Sequence, residues 1–344
     1  MAGKLSFLSY GLGTIGVEVL RYALHHGQLT LAGAVDTDPS KVGKDVSELL
    51  GLEEPTGVRV HPRLEDALEQ VRPDLVFHAT GSYLEDVATQ LYSLLEAGLP
   101  VVSTCEELSY PWPRHPEISR RLDHLALQRG IALVGTGVNP GFAMDTLPIC
   151  LSAVCRDIRA VEVSRVANVA RRRRALQAKM GLGISVEEYY TRLGTGRFGH
   201  VGLEESAWMI AAAFGWEVTH TESTIDPIVA QYPTRTAYFE VPRGHLSGIR
   251  QTTTVTCEGN RRIYLELVMQ IEPAEEKDEV KLEADPPIHT ITKGGFFGDT
   301  ATAAIVVNAG FALLRARPGL RSMWELPYVH FASRHDALAP SPLI

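Results

Sequence analysis

Two adjacent carboxylates, Glu106 and Glu107, stand in the run Ser103-Thr104-Cys105-Glu106-Glu107, directly after the apolar pair Val101-Val102. A carboxylate partly withdrawn from water has its pKa raised towards neutrality and can then act as a general acid or base. Glutamate pairs in turns also serve simply as solvated helix starts, and only one of the two is expected to face a pocket. Cys105 has no Cys–His motif to activate it and reads as a packed thiol. A second group is Gly11-Leu12-Gly13-Thr14-Ile15-Gly16, with Asp36 placed 20 residues beyond Gly16. Glycines mark many turns, so this pattern alone is weak. Here it lies between the apolar run Leu5 to Tyr10 and the helical spacing of Val17, Leu20 and Leu24, and Asp36 closes the next apolar run, Leu29 to Val35. That context predicts a dinucleotide site, with Gly11 in the tight turn, Gly13 under the pyrophosphate, Gly16 at the helix–sheet contact, and the N–H groups from Thr14 and Ile15 offered to phosphate.

Asp36 suits the adenosine ribose and would repel a 2′-phosphate, which makes NAD the first expectation. Lys41 and Lys44 follow in the same loop and could reach a 2′-phosphate if Asp36 turned away, so NADP stays open. Thr80-Gly81-Ser82 and Asn139 fall at the ends of later strands and join the cofactor group, although the first equally reads as a plain strand-to-helix cap and Asn139-Pro140-Gly141 as a hinge turn. Phe142 and Met144 are candidates for an apolar substrate wall, and Gly199-His200-Val201-Gly202 places a histidine in a loop open to a ligand. His78, inside an apolar strand, reads as a satisfied core group. The basic run Arg171 to Arg174 could hold phosphate or a substrate carboxylate, although charge runs are usually solvated. No metal site is expected, since the 12 histidines include no helical His-x-x-x-His pair and no Cys/His cluster with ligand spacing.

These residues need elements to place them. Leu5 to Tyr10, Leu29 to Val35, Asp74 to Thr80, Pro100 to Thr104 and Ile131 to Gly135 read as strands. Helices are predicted from Val17 to His25, near Lys44 to Leu50, from Leu84 to Ala97 and from His115 to Arg129. The alternation predicts an α/β fold with an N-terminal doubly wound, parallel Rossmann sheet over residues 1–140. Beyond Asn139-Pro140-Gly141, strands at Ile158 to Val169 and Thr252 to Ile271 with helices at Val186 to Leu193 and Leu203 to Phe214 predict an α+β substrate and dimerisation domain. It covers 141–298 and carries a mostly antiparallel sheet. Glu272 to Asp285 reads as an exposed loop. A helix over 299–316, capped by Asp299 and closed by Pro318-Gly319, is expected to pack back with the tail on the first domain.

Composition narrows the class. Of 344 residues, 41 are acidic and 33 basic, a net charge of −8 that favours neither nucleic acid nor an anionic membrane surface. Four cysteines without paired spacing suggest reduced thiols. No apolar run reaches the roughly 18 residues of a membrane span, and no signal-peptide pattern opens the chain. A cytoplasmic location is the expectation.

With Ser103-Thr104-Cys105-Glu106-Glu107-Leu108, Asn139-Pro140-Gly141-Phe142, Leu176-Gln177-Ala178-Lys179-Met180-Gly181, Gly199-His200-Val201-Gly202 and Gly298-Asp299-Thr300-Ala301-Thr302 in order along the chain, it resembles the native amine dehydrogenases and the 2,4-diaminopentanoate dehydrogenases, with dihydrodipicolinate reductase as a distant relative. The resemblance implies reversible NAD(P)H-dependent reductive amination of small ketones or aldehydes with ammonia, in a homodimer. It implies a catalytic glutamate at Glu106 or Glu107, with Glu107 preferred, and a substrate-limiting aromatic at Phe142. Action on a diamino acid, and a regulator that binds NAD(P) without turnover, are the alternatives.

Overall fold

The computed structural model describes residues 4–332. Two compact units emerge, one from Met1–Phe142 together with the chain from Phe297 on, the other from Ala143–Phe296.

In the first unit the chain runs β1 (Leu5–Tyr10), α1 (Thr14–His25), β2 (Leu29–Val35), α2 (Val46–Leu50), β3 (Val60–His61), α3 (Leu64–Leu68), β4 (Leu75–His78), α4 (Leu84–Glu96), β5 (Val101–Ser103), α5 (Pro116–Arg129) and β6 (Ala132–Gly135). Phe7, Leu8, Val76, Phe77, Val101 and Val102 are all buried. Successive residues of a strand point to opposite faces, so burial of both members of each pair requires a covered sheet on both sides, which helical crossovers supply. The strands pair in parallel throughout, and the order including β15 (Gly319–Arg321) is β15-β6-β5-β4-β1-β2-β3. The winding reverses between β1 and β4, and the crevice at their carboxyl ends is where such sheets bind ligands. The predicted strands and long helices of this unit appear, with β1 and β2 at the expected bounds and the others shifted by at most three residues at either end. The short β3 and α3 had no expectation, being too brief to show a period.

The second unit contains α6 (Thr146–Leu151), β7 (Asp157–Asn168), α7 (Arg174–Lys179), α8 (Val186–Leu193), α9 (Leu203–Ala213), β8 (Val218–Val229), β9 (Thr234–Arg235), β10 (Glu240–Val241), β11 (Leu246–Cys257), β12 (Arg261–Gln270), β13 (Lys277–Asp285) and β14 (Ile288–Lys293). Its main sheet has the order β14-β13-β7-β12-β11-β8. Pairing is antiparallel except between β7 and β12, and α9 packs on β8, β11 and β12. The stretch Glu272 to Asp285 was expected as a loop and is corrected: from Lys277 it is β13, hydrogen-bonded between β7 and β14. Its charges looked solvated, yet Asp278 and Glu279 are buried. Arg165 Nη1 reaches both oxygens of Asp278 at 2.6 Å, and Glu279 binds Lys277 at 2.7 Å, Lys281 at 3.0 Å and His289 at 2.7 Å. Those partners hold the Glu279 carboxyl down at about 2, and paired acids can be buried where lone ones cannot.

Helix α10 (Gly298–Leu313) belongs to the first unit and packs on α1, β4 and β5. Its N-cap is Phe297, so Asp299 sits inside the first turn instead of capping it. The tail beyond 332 lies outside the described residues.

Candidate active site

The cradle begins at Gly11, whose φ of +89° is in the left-handed region and whose missing Cβ would stand 2.5 Å from Ala79 O. A Cβ on Gly16 would fall 1.9 Å from Gly11 O, so helix α1 can sit this close to the loop only without a side chain there. At Gly13 the direction of a Cβ is open, and Gly13 caps α1 with no side-chain hydrogen bond and no acid in the first turn. The N–H groups at Thr14 and Ile15 therefore meet none of the usual capping groups, and the helix dipole favours an anion beside them.

At the carboxyl end of β2 the Asp36 carboxylate turns inward. Its Oδ2 accepts from Leu12 N–H at 2.7 Å and from Lys41 Nζ at 3.1 Å, and its Oδ1 accepts from Asp38 N–H at 2.8 Å. Lys41 also lies 3.5 Å from Asp38. Asp36 thus braces the glycine loop, with its charge balanced by an ammonium.

Two loops meet at the carboxyl ends of β4 and β5. Buried His78 links them from below, with Nδ1 2.9 Å from Ser103 Oγ, Nε2 2.9 Å from Gln90 Oε1, and Thr80 Oγ1 3.0 Å away. Burial pulls this imidazole down to about 4, so it is neutral near pH 7. Cys105 is sealed in, its thiol donates to Ser82 O at 3.3 Å, and burial pushes its pKa well up. That removes it as a nucleophile. Gly81 packs against α4, where a Cβ would be 3.0 Å from Val87 Cγ1.

Glu106 and Glu107 open a short 3-10 helix, Glu106–Ser109. At three residues per turn, neighbouring side chains diverge by about 120°. Glu107 takes the inward direction: it is 6% exposed, its Oε2 accepts from Leu84 N–H at 2.7 Å and lies 2.8 Å from His115 Nε2, and its Oε1 is 3.8 Å from Arg114 Nε. Glu106 is half-buried. In the sequence His115 marks only a helix start, and nothing in its spacing makes it a partner of Glu107.

Asn139, just past β6, is buried with both ends of its carboxamide lacking a hydrogen-bond partner. A buried amide unpaired at both ends is costly. It suits a ligand able both to donate and to accept, as a nicotinamide carboxamide or ribose hydroxyl would. With the open Gly13 position, this fits a dinucleotide to the carboxyl edge of the sheet. Phe142, the last residue of this unit's first segment, is half-buried.

In the second unit Met144 is fully buried and has no exposed surface to serve as a substrate wall. His200 is clamped through its backbone: Gln251 Oε1 accepts from its N–H at 3.1 Å and Gln251 Nε2 donates to its carbonyl at 2.9 Å. Burial, then the charges of Lys179 and Arg165, pull its imidazole down to about 3, and its Nδ1 has no hydrogen-bond partner. Within the basic run Arg171 lies 3.0 Å from Glu276, Arg172 is buried, and Arg174 lies over the Phe239 ring. Among the described residues no cluster of His, Cys, Asp and Glu could hold a metal, and no helix is long and apolar enough to cross a membrane.

Fold and cradle together define a dinucleotide-dependent oxidoreductase of the Rossmann class. Residues 142–337 match the family described as 2,4-diaminopentanoate dehydrogenase C-terminal domain, and the chain belongs to that family. It is 28% identical to 2,4-diaminopentanoate dehydrogenase of Acetoanaerobium sticklandii, with 94% of each chain covered. To an amine dehydrogenase of Streptomyces virginiae it is 24% identical over 94% of this chain and 96% of the other. The solved amine dehydrogenase of Mycobacterium smegmatis superposes with a TM-score of 0.86 at 26% identity, covering 95% of this chain and 97% of that one.

Proposed function

We propose that the protein is an NAD(P)-dependent amine dehydrogenase that interconverts small ketones or aldehydes plus ammonia with primary amines. The observation that carries this reading is the carboxylate turn Glu106-Glu107, tied to the Thr80–Ser82 loop at the cofactor edge by the bond from Glu107 N–H to Ser82 O at 3.3 Å. Gly11, Gly13, Thr14, Ile15, Gly16, Asp36, Thr80, Gly81 and Asn139 would hold the dinucleotide, which supplies hydride when bound.

Glu106 is assigned the chemistry in place of the sequence preference for Glu107, because Glu107 is buried against Leu84 and His115 whereas Glu106 keeps part of its surface exposed to an incoming ligand. In the reductive direction Glu106 takes a proton from ammonium, so that free ammonia adds to the carbonyl. It returns that proton as water leaves the carbinolamine, and as a carboxylate it steadies the iminium cation that accepts hydride. Carbonyl, ammonium and NAD(P)H become amine, water and NAD(P)+, in balance. Phe142 would limit substrate size.

NAD(P)H oxidation across short aldehydes and ketones tests this, with and without ammonium. Turnover that needs ammonium is expected. Equal turnover without it would indicate an alcohol dehydrogenase, and tight cofactor binding without turnover would favour a regulator. Glu106→Gln is expected to abolish amination while leaving NAD(P)H binding intact; full activity in that variant would refute the assignment.

A second reading, action on a diamino acid, is favoured by one observation: residues 142–337 match the family described as 2,4-diaminopentanoate dehydrogenase C-terminal domain. Turnover on diamino acids far exceeding that on simple amines would select it. We further propose a homodimer through the half-buried, uncapped face of the second unit's sheet. A cytoplasmic location suits the four free thiols.

A further inference from the structure

We propose that Glu107 and His115 form a positioning brace for the catalytic turn, with His115 required for turnover although it takes no part in proton transfer. The proposal rests on the reading that Glu106 is the catalytic carboxylate. Helix α4 starts at Tyr83, whose side chain makes no capping bond. Its first N–H, that of Leu84, is instead capped from another segment by Glu107 Oε2 at 2.7 Å. The same oxygen lies 2.8 Å from His115 Nε2, and His115 is itself the N-cap residue of α5. One carboxylate thus caps the start of α4, whose dipole favours its negative charge, and is tied through a side chain to the residue that precedes α5.

The histidine cannot drift. Its N–H donates to Pro111 O at 2.8 Å, and its carbonyl accepts from Ser119 N–H at 2.9 Å and from Ser119 Oγ at 2.7 Å. Its Nδ1 faces Glu85 Oε1 at 3.9 Å, and Arg114 Nε lies 3.8 Å from Glu107 Oε1. Backbone bonds complete the lattice, from Glu107 N–H to Ser82 O and from Leu108 N–H to Cys105 O at 3.1 Å. Because Glu106 and Glu107 are neighbours on one tight turn, fixing the inward carboxylate fixes the direction of the other. Losing the His115 bond leaves Glu107 Oε2 held by Leu84 N–H alone, so the carboxylate can swing about that one bond and shift the turn that carries Glu106. A displacement of about 1 Å in a reacting group costs about 100-fold in rate.

The test compares His115→Leu, His115→Asn and His115→Gln in the full-length protein, with Glu106→Gln alongside. Leucine removes the donor, asparagine keeps a polar group too short to reach Glu107 from this backbone, and glutamine can restore the bond through Nε2. We expect kcat for amination to fall ~10- to 100-fold in the leucine and asparagine variants, with the NAD(P)H dissociation constant unchanged within about twofold. His115→Gln should recover to within about threefold of the parent. Should the leucine variant not fold, asparagine against glutamine gives the same contrast. Parent-like kcat in His115→Asn, or equal losses in the asparagine and glutamine variants, would overturn the brace. Full activity of Glu106→Gln would instead overturn the catalytic assignment, whatever the His115 variants do.

Discussion

Lys41 sets how negative the loop after β2 is, the proposed adenosine end of the cradle. Its ammonium sits 3.1 Å from Asp36 and 3.5 Å from Asp38, so Asp36 presents a balanced charge to whatever approaches. A bare aspartate at this place repels a 2′-phosphate; a paired one does so much less, and the lysine can be shared with the phosphate. Lys41→Ala should therefore lower kcat/KM for NADPH by about tenfold while NADH changes by less than about twofold, a single charge-assisted contact being worth about 1.4 kcal/mol here. An unchanged NADPH to NADH ratio would remove Lys41 from cofactor selection. The types and spacing of Asp36 and Lys41 were readable in the sequence, whereas the inward turn of Asp36 onto Leu12 N–H was not, because it depends on where the glycine loop lies.

Elements with a clear period were legible: the buried runs of β1, β2, β4, β5 and β6 and the apolar spacing of α1 and α4 come from the sequence alone. β13 was not, since its pattern is set by charge pairing across strands. Arg165 on β7 and Asp278 on β13 are both buried, and Asp278 Oδ2 also accepts from Phe296 N–H at 2.7 Å. Removing one partner leaves an uncompensated buried charge. Arg165→Leu should destabilise the protein by about 3–5 kcal/mol, and Arg165→Leu combined with Asp278→Leu should recover a large part of that loss. Urea unfolding of the three proteins decides it: additive losses would mean that the pair is not coupled. The candidate site was legible in the same uneven way, since the Glu106-Glu107 turn stood out by composition, while the brace from Glu107 to Leu84 and His115 joins residues 23 and 8 positions away.

Each unit of the molecule buries a neutral histidine, and this couples stability to pH. His78 in the first unit is held down to about 4, mainly by burial, and His200 in the second to about 3, by burial and then by Lys179 and Arg165. An unfolded chain has these groups near 6.5. Below that value the unfolded state binds protons that the folded state still refuses, so the stability these neutral rings contribute falls as pH falls. Each histidine contributes a slope that approaches about 1.4 kcal/mol per pH unit below pH 6.5, or about 2 kcal/mol between pH 7.5 and 5. Glu279, held at about 2 by its cationic partners, acts in the same direction but only below its unfolded value near 4.5, outside this window. The urea midpoint should therefore be clearly lower at pH 5 than at pH 7.5. His78→Gln removes one of the two titrating groups and should cut the pH-dependent drop to about half, even though the variant starts from a lower stability at pH 7.5. A drop of undiminished size in His78→Gln would show that His78 does not carry its share of the acid sensitivity.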